Sequence, residues 1–162
     1  MIHLGIDPGK HGGLAFITET SIPAIGPCAF DAMPMPLSGN EIDGAQVADL
    51  VRTYQLADTV HATIELVGAM PKQGLSSTFT FGKGYGMIQG VLAALGVRYE
   101  LVTPQKWKGA ILAGTTKDKD AAIAWCRRAY PGANLIPKGC RVSHDGIADA
   151  VCIAEYGRRT YK

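Results

Sequence analysis

The sequence predicts an α/β protein built on a mixed sheet of five strands, with helices on both faces. Three short β-like segments come first, two further strands then alternate with helical segments, and a run of helices closes the chain. Alternation of this kind after an antiparallel start is typical of an α/β sheet covered on both sides. No linker or low-complexity tract divides the 162 residues, so we expect one domain spanning 1–162.

The strands are predicted from apolar and β-branched runs that end at turn residues. Residues 3–7 and 12–18 form a hairpin around Pro-Gly-Lys-His, and a third extended segment covers 28–33 before a proline-rich break. TVHATIEL at 59–66 is typical of a buried strand, and VRYELV at 97–102 is the fifth strand.

The predicted helices combine apolar residues at helical spacing with recognisable starts. One helix begins at Asp43, and a longer one lies within 76–95. Thr103, which is followed by proline, is a typical helix start. Thr116 and Ser143 are the predicted N-caps of the last two helices.

Composition excludes several classes of protein. No apolar run approaches the roughly 20 residues that cross a bilayer, and the chain start lacks the pattern of a signal peptide. Four cysteines show no paired metal spacing, which favours a reducing, cytoplasmic compartment.

The net charge is only +2, but basic residues cluster within 106–128 and at the end of the chain. Such clusters either bind phosphates or form a solvated helix face.

Four carboxylates form the candidate chemical centre. Asp7 and Glu65 stand at the ends of predicted strands, and Asp145 and Asp149 lie four residues apart, on one face of the last helix. Carboxylates gathered by a fold repel one another, so such a cluster requires a cation. Oxygen donors without a matching His/Cys set favour Mg²⁺ or Mn²⁺, ions that commonly serve phosphoryl chemistry. An Asx turn at Asp7 and a surface strand end at Glu65 are the simpler alternatives.

Basic and aromatic residues interleave before and within the second predicted helix and again at the start of the third. This mixture is typical of surfaces that bind phosphates and unstacked bases, although a helix packing its aromatics inward is the alternative. Trp107, between two lysines, is expected in the core. The candidate DNA-binding residues are Lys72, Gln73, Phe79, Lys83, Lys106 and Lys108.

The motifs GIDPGKHGGLAF, IEL, TPQKWKGAIL and HDGIADAVCIAEYG, in this order, resemble RuvC-type Holliday junction resolvases, particularly the shorter phage and organelle-like versions. The resemblance spans nearly the whole chain. It implies a ribonuclease H-like fold and a homodimer that makes paired symmetric nicks in a four-way DNA junction with Mg²⁺, for which Mn²⁺ would substitute. It implies the cytoplasm of a bacterial cell or phage-infected host, or an organelle, as the location.

The resemblance also implies roles for single residues. Asp7, Glu65 and Asp149 would be metal ligands, and Lys117 or Lys119 would be the lysine that stabilises the phosphate. The family sets its two C-terminal acidic ligands three residues apart, whereas the position three before Asp149 is a glycine here. The nearest replacement is Asp145, since positions i and i+4 share a helix face, and the next is His144.

These residues support a hypothesis of two-metal phosphodiester hydrolysis, in which Asp7 bridges two ions, Glu65 holds one side, and Asp145 with Asp149 holds the other. A broader flap and fork debranching nuclease and a non-catalytic junction-binding protein are the alternatives. An ATP-binding sugar kinase fold is a further alternative, but it would need a second nucleotide-clamping half, for which 162 residues leave no room. The sequence leaves open the cleavage preference, the junction wedge within 70–81 and any helicase partner. For the dimer contact we expect 87–95, through Val91, Leu92 and Leu95.

Overall fold

A computed structural model describes residues 1–18, 30–68, 74–115 and 120–161. The strands are β1 Ile2–Asp7, β2 Gly13–Thr18, β3 Phe30–Pro34, β4 Leu37–Ser38, β5 Glu41–Ile42, β6 Val60–Glu65 and β7 Arg98–Val102. The helices are α1 Gly44–Gln55, α2 Leu75–Ala94, α3 Pro104–Ile111, α4 Ala121–Ala129 and α5 Asp145–Thr160. Over these residues, none of the helices is both long and apolar enough to span a membrane.

The main sheet has five strands in the order β3-β2-β1-β6-β7. The first three pair antiparallel, while β6 runs parallel to β1 and β7 runs parallel to β6. The predicted mixed five-stranded sheet is therefore confirmed. The parallel register places Ile6 beside Ile64, so Asp7 and Glu65 leave the sheet at the same edge.

Helices cover both faces of the sheet, as predicted. Because side chains alternate along a strand, Ile2, Leu4 and Ile6 of β1 point to one face, where they join the core formed with α1 and α2. The other face carries α3, α4 and α5 around a second core that includes the fully buried Trp107. The prediction that Trp107 is a core residue is confirmed.

Helix α5 approaches the sheet so closely that backbone meets backbone. A Cβ atom at Gly5 of β1 would lie 2.8 Å from the Cα of Ala154, and a Cβ at Gly146 would lie 2.5 Å from the Cα of Gly12. Only glycine fits at contacts of this length. These two contacts fix α5 against β1 and hold its first turns next to the turn that follows Asp7.

Two details of the local structure differ from the predictions. The cap of α5 is His144 rather than Ser143, since the Ile147 N–H donates to His144 Nδ1 at 3.3 Å. The helix therefore starts one residue later than Ser143 would place it. The small β4–β5 hairpin was not predicted, because its strands have two residues each; Gly39 occupies its turn with a φ of 63°.

Some predicted features lie outside the described residues. They are the first two residues of the strand predicted at 28–33 and the cap predicted at Thr116. The cap predicted at Thr103 is confirmed, because its side chain accepts from the Lys106 N–H at 3.3 Å.

Candidate active site

Three of the predicted carboxylates gather at one edge of the sheet. Asp7 is the last residue of β1, Glu65 is the last residue of the neighbouring parallel strand β6, and Asp149 lies in the second turn of α5. All three are half-buried. The strand ends bring Asp7 and Glu65 together, and the glycine contacts of α5 bring Asp149 to them.

The carboxylates act on one another electrostatically. Burial, followed by the charges of Glu65 and Asp149, raises the pKa of Asp7 to about 7. Burial also raises the pKa of Asp149 to about 6, with Glu65 and Asp145 adding to it. Like charges in a poorly hydrated place disfavour ionisation of each other. The three side chains therefore form one site, in which negative charge is in excess.

Trp107 holds Glu65 in this site. Its indole N–H donates to Glu65 Oε1 at 2.9 Å, and its ring is fully buried. A buried indole N–H usually has an acceptor, so the tryptophan gains a partner and the carboxylate a fixed orientation. This contact was missed in the sequence, although a tryptophan expected in the core already required an acceptor.

Lys108 is a cation that acts on the carboxylates of the site. Its charge lowers the pKa of both Asp7 and Asp149, and its ammonium group lies 5.0 Å from the centroid of the Trp107 ring. The side chain is exposed. The sequence predicted Lys108 as a DNA-binding residue; the fold places it close enough to Asp7 and Asp149 for its charge to act on both.

Asp145 lies at the outer side of the site. Its side chain is exposed in the first turn of α5. The charge of Asp145 raises the pKa of Asp149, whereas the charges that raise the pKa of Asp7 are those of Glu65 and Asp149. His144, the other candidate for the fourth ligand, uses Nδ1 to cap the helix. Within the described part of the chain, the hydrogen bonds and ion pairs include none to the side-chain oxygens of Asp145, which makes Asp145 the better candidate of the two.

The structure describes three of the other predicted residues. Phe79 is 75% exposed on α2, and the Lys106 side chain is exposed on α3. Lys83 forms an ion pair with Glu41 at 2.7 Å, which joins α2 to the β4–β5 hairpin. Four predicted residues lie outside the described part of the chain: Lys72, Gln73, Lys117 and Lys119.

The donor set fits a hard divalent cation. Every candidate ligand is a carboxylate, and oxygen donors are those that Mg²⁺ and Mn²⁺ prefer. In the part of the chain that the structure describes, no group of three or more His, Cys, Asp or Glu side chains is placed to hold a metal ion. The carboxylates thus share one electrostatic site without converging on a single point, as expected of like charges.

Replacing Asp7 with asparagine is expected to stabilise the metal-free protein, increasingly so from pH 5 to pH 8. Folding raises the pKa of Asp7 from 3.8 to about 7, so its contribution to stability is complete below the unfolded value and is lost as the pH rises through about 7. Asparagine does not ionise, so its contribution to stability does not change with pH in this way. Between pH 5 and pH 8 the advantage should grow by on the order of 2–3 kcal/mol.

Urea unfolding of the Asp7→Asn variant and of the parent, with EDTA present, measures this difference at each pH. Subtracting the two curves removes the contribution of other titrating groups such as His61. Added Mg²⁺ should stabilise the parent and not the variant. An advantage that shrinks with rising pH would contradict the raised pKa.

The sheet order and the helices on both faces define a ribonuclease H-like fold of the RuvC type. The chain is similar to the structure of Thermus thermophilus RuvC, with 23% identity over 98% of this chain and 96% of that chain and a TM-score of 0.59. It is also similar to T. thermophilus RuvC in complex with Holliday junction substrate, with 18% identity, 99% and 96% coverage and a TM-score of 0.62. No family model and no curated protein matches the sequence.

Proposed function

We propose that residues 1–162 form one nuclease domain that resolves four-way DNA junctions by paired symmetric nicks, through metal-dependent hydrolysis of phosphodiesters. The observation that carries this proposal is the meeting of three carboxylates in a fold of the RuvC type: the parallel strands β1 and β6 end at Asp7 and Glu65, and the packing of α5 brings Asp149 to them. Burial and like charges raise the pKa of both Asp7 and Asp149 there. Similarity to RuvC in complex with a Holliday junction substrate supports the choice of DNA.

Each residue of the site has a role in this proposal. Asp7, Glu65 and Asp149, with Asp145 as the fourth ligand, would hold Mg²⁺ or Mn²⁺. The bound ion would supply a Lewis acid for the phosphate and a water of lowered pKa. Without a cation the pKa of Asp7 is about 7, so below this pH a proton competes with the cation for the Asp7 carboxylate. Cleavage should therefore fall in mildly acidic solution.

Two neighbouring side chains would complete the site. Trp107 keeps the Glu65 carboxylate oriented through its indole N–H. The Lys108 ammonium offsets the charge that develops on the phosphate, because a fixed cation stabilises a transition state more negative than its substrate. Lys117 and Lys119, implied by the resemblance to the family, remain proposed for the same task.

Lys108→Ala is expected to reduce the cleavage rate at saturating junction by roughly 10- to 100-fold, with a smaller effect on affinity. Lys106→Ala is the matched control, since Lys106 is an exposed lysine of the same helix and is not among the charges that shift the pKa of Asp7 or Asp149. Single-turnover kinetics measures both. Equal effects of the two substitutions would remove the special role of Lys108.

Paired nicks require two active sites, so we propose a homodimer. Leu92, expected at the contact, is fully buried in the core of the monomer and is not available. On another face of α2, a Cβ added at Gly82, Gly86 or Gly90 would have none of the described atoms within 4 Å. Glycine in a helix interior costs about 1 kcal/mol relative to alanine, and no contact among the described residues explains these three. Close approach of the same helix from a second copy would explain them.

Gly86→Gln is expected to weaken the dimer at least tenfold, because the side chain would separate the two helices. Gly109→Gln is the control, since Gly109 also faces open space, on α3. Sedimentation equilibrium measures the dissociation constants. A dimer that tolerates glutamine at 86 as well as at 109 would place the contact on another face.

The test of the proposed function is cleavage of a synthetic, mobile four-way junction with Mg²⁺, beside linear duplex, flap and fork DNA. Paired symmetric nicks confined to the junction are expected, with no cutting in EDTA. Cutting of every branched form would favour the broader debranching nuclease. Tight binding without cutting in Mg²⁺ or Mn²⁺ would favour the non-catalytic junction-binding protein.

A further inference from the structure

A cleft lies beside the candidate active site. It has a volume of about 620 Å³ and separates α4 from the segment that leads into α5. Asp145 forms part of its wall and also raises the pKa of Asp149. The cleft therefore begins where the carboxylate cluster ends, and a chain of phosphates crossing the cluster on this side would enter it.

The cleft offers two guanidinium groups. Arg127 of α4 and Arg141 of the facing segment both line it and are both exposed. Arg127 Nη2 donates to the Ser143 hydroxyl at 3.0 Å, which ties the two walls together. The ion pairs found in the described ranges include neither arginine. Most of their N–H groups therefore remain available, and a guanidinium suits two oxygens of one phosphate.

The walls also carry apolar and acidic side chains. Val142 is 74% exposed and Ile136 is 41% exposed, next to the arginines. Apolar surface beside cations suits a sugar-phosphate chain better than a small free anion. Asp120 and Asp145 lie on the same walls. Because these two carboxylates repel an anion, a phosphate in the cleft would need both guanidiniums as donors.

We propose that this cleft binds a backbone phosphate of the DNA strand being cut, next to the scissile phosphate, with Arg127 and Arg141 as its donors. The proposal rests on the proposed function and adds to it a binding site outside the predicted DNA-binding residues. Arg127 and Arg141 position the strand and do not touch the reacting atoms.

The experiment measures junction binding in Mg²⁺ over a range of salt concentrations. It compares the Asp7→Asn protein with the same protein that also carries Arg127→Gln and Arg141→Gln, which is called the double variant below. The double variant is expected to bind 10- to 100-fold more weakly. The slope of log K against log salt is negative, and it should become shallower by about 1. A protein that neutralises one phosphate fewer displaces about one counterion fewer from the DNA. Arg52→Gln, on α1 and behind the opposite face of the sheet, is the control and should change neither quantity.

Three further results separate a specific site from general effects. Arg127→Lys should keep most of the slope, since it keeps the charge. Arg141→Gln alone should weaken binding without lowering the melting temperature, because Arg141 lies in an exposed segment outside the helices. Unchanged affinity and slope in the double variant, or an equal loss in Arg52→Gln, would overturn the cleft proposal and leave the proposed function standing. Failure of the Asp7→Asn protein to bind any branched DNA would instead overturn the proposed function.

Discussion

Asp7→Asn is expected to lower the rate of junction cleavage on the order of 10³-fold or more, a change of about 4 kcal/mol in the barrier. After burial, the charges of Glu65 and Asp149 raise the pKa of Asp7, so this side chain interacts with both of the other carboxylates. Asparagine keeps the shape of the side chain but removes the charge that would hold a divalent cation. Junction affinity should change by less than about threefold, because phosphate binding depends on the basic surface.

Single-turnover cleavage and equilibrium binding of one junction measure the two effects separately. Asp49→Asn is the matched control, since Asp49 lies exposed on α1, a helix of the opposite face, and pairs only with Arg52 among the described residues. Near-normal cleavage by Asp7→Asn in Mg²⁺ would remove Asp7 from the site. Misfolding is excluded as the cause if the same variant shows the higher stability expected for the metal-free protein.

The positions of Asp7 and Glu65 could be predicted because strand ends are local features. Each residue follows an apolar run, and neighbouring parallel strands bring their ends to one edge of the sheet. The prediction of a mixed five-stranded sheet rested on the same local patterns and is confirmed. Asp149 was found through helical spacing, which requires no knowledge of the partner.

The rest of the site depends on contacts between distant parts of the chain. The hydrogen bond from Trp107 to Glu65 joins residues 42 apart, and the position of Lys108 follows from that contact. Local patterns place Lys108 on a basic helix face and cannot say what the helix packs against. The cap at His144 was also missed, because serine is the commoner cap and the choice depends on where α5 meets the sheet.

The departure from the family pattern at Gly146 has a steric cause. The family places an acidic ligand at this position, three residues before Asp149. In this protein a Cβ at Gly146 would lie 2.5 Å from the Cα of Gly12 and closer still to the His11 carbonyl oxygen. Both are backbone atoms of the turn that follows Asp7, so they cannot move aside as a flexible side chain would. If the proposed metal site has a fourth acidic ligand, that ligand has to come from another position, for which we propose Asp145.

Gly146→Asp is accordingly expected to abolish the proposed junction cleavage, although it introduces the spacing found in RuvC-type resolvases. Forcing atoms into a packed contact costs typically 1–3 kcal/mol and more where backbone must move, so Gly146→Ala alone should lower the melting temperature clearly. Aspartate should add the desolvation of a charge and separate α5 from β1, which would move Asp149 away from Asp7.

Gly109→Ala and Gly109→Asp are the controls, because Gly109 is a helical glycine with open space around it. Thermal unfolding and junction cleavage of the four variants decide the matter. A Gly146→Asp protein with normal stability and faster cleavage would mean that α5 can move away from the turn, and that position 146 is open to a ligand after all.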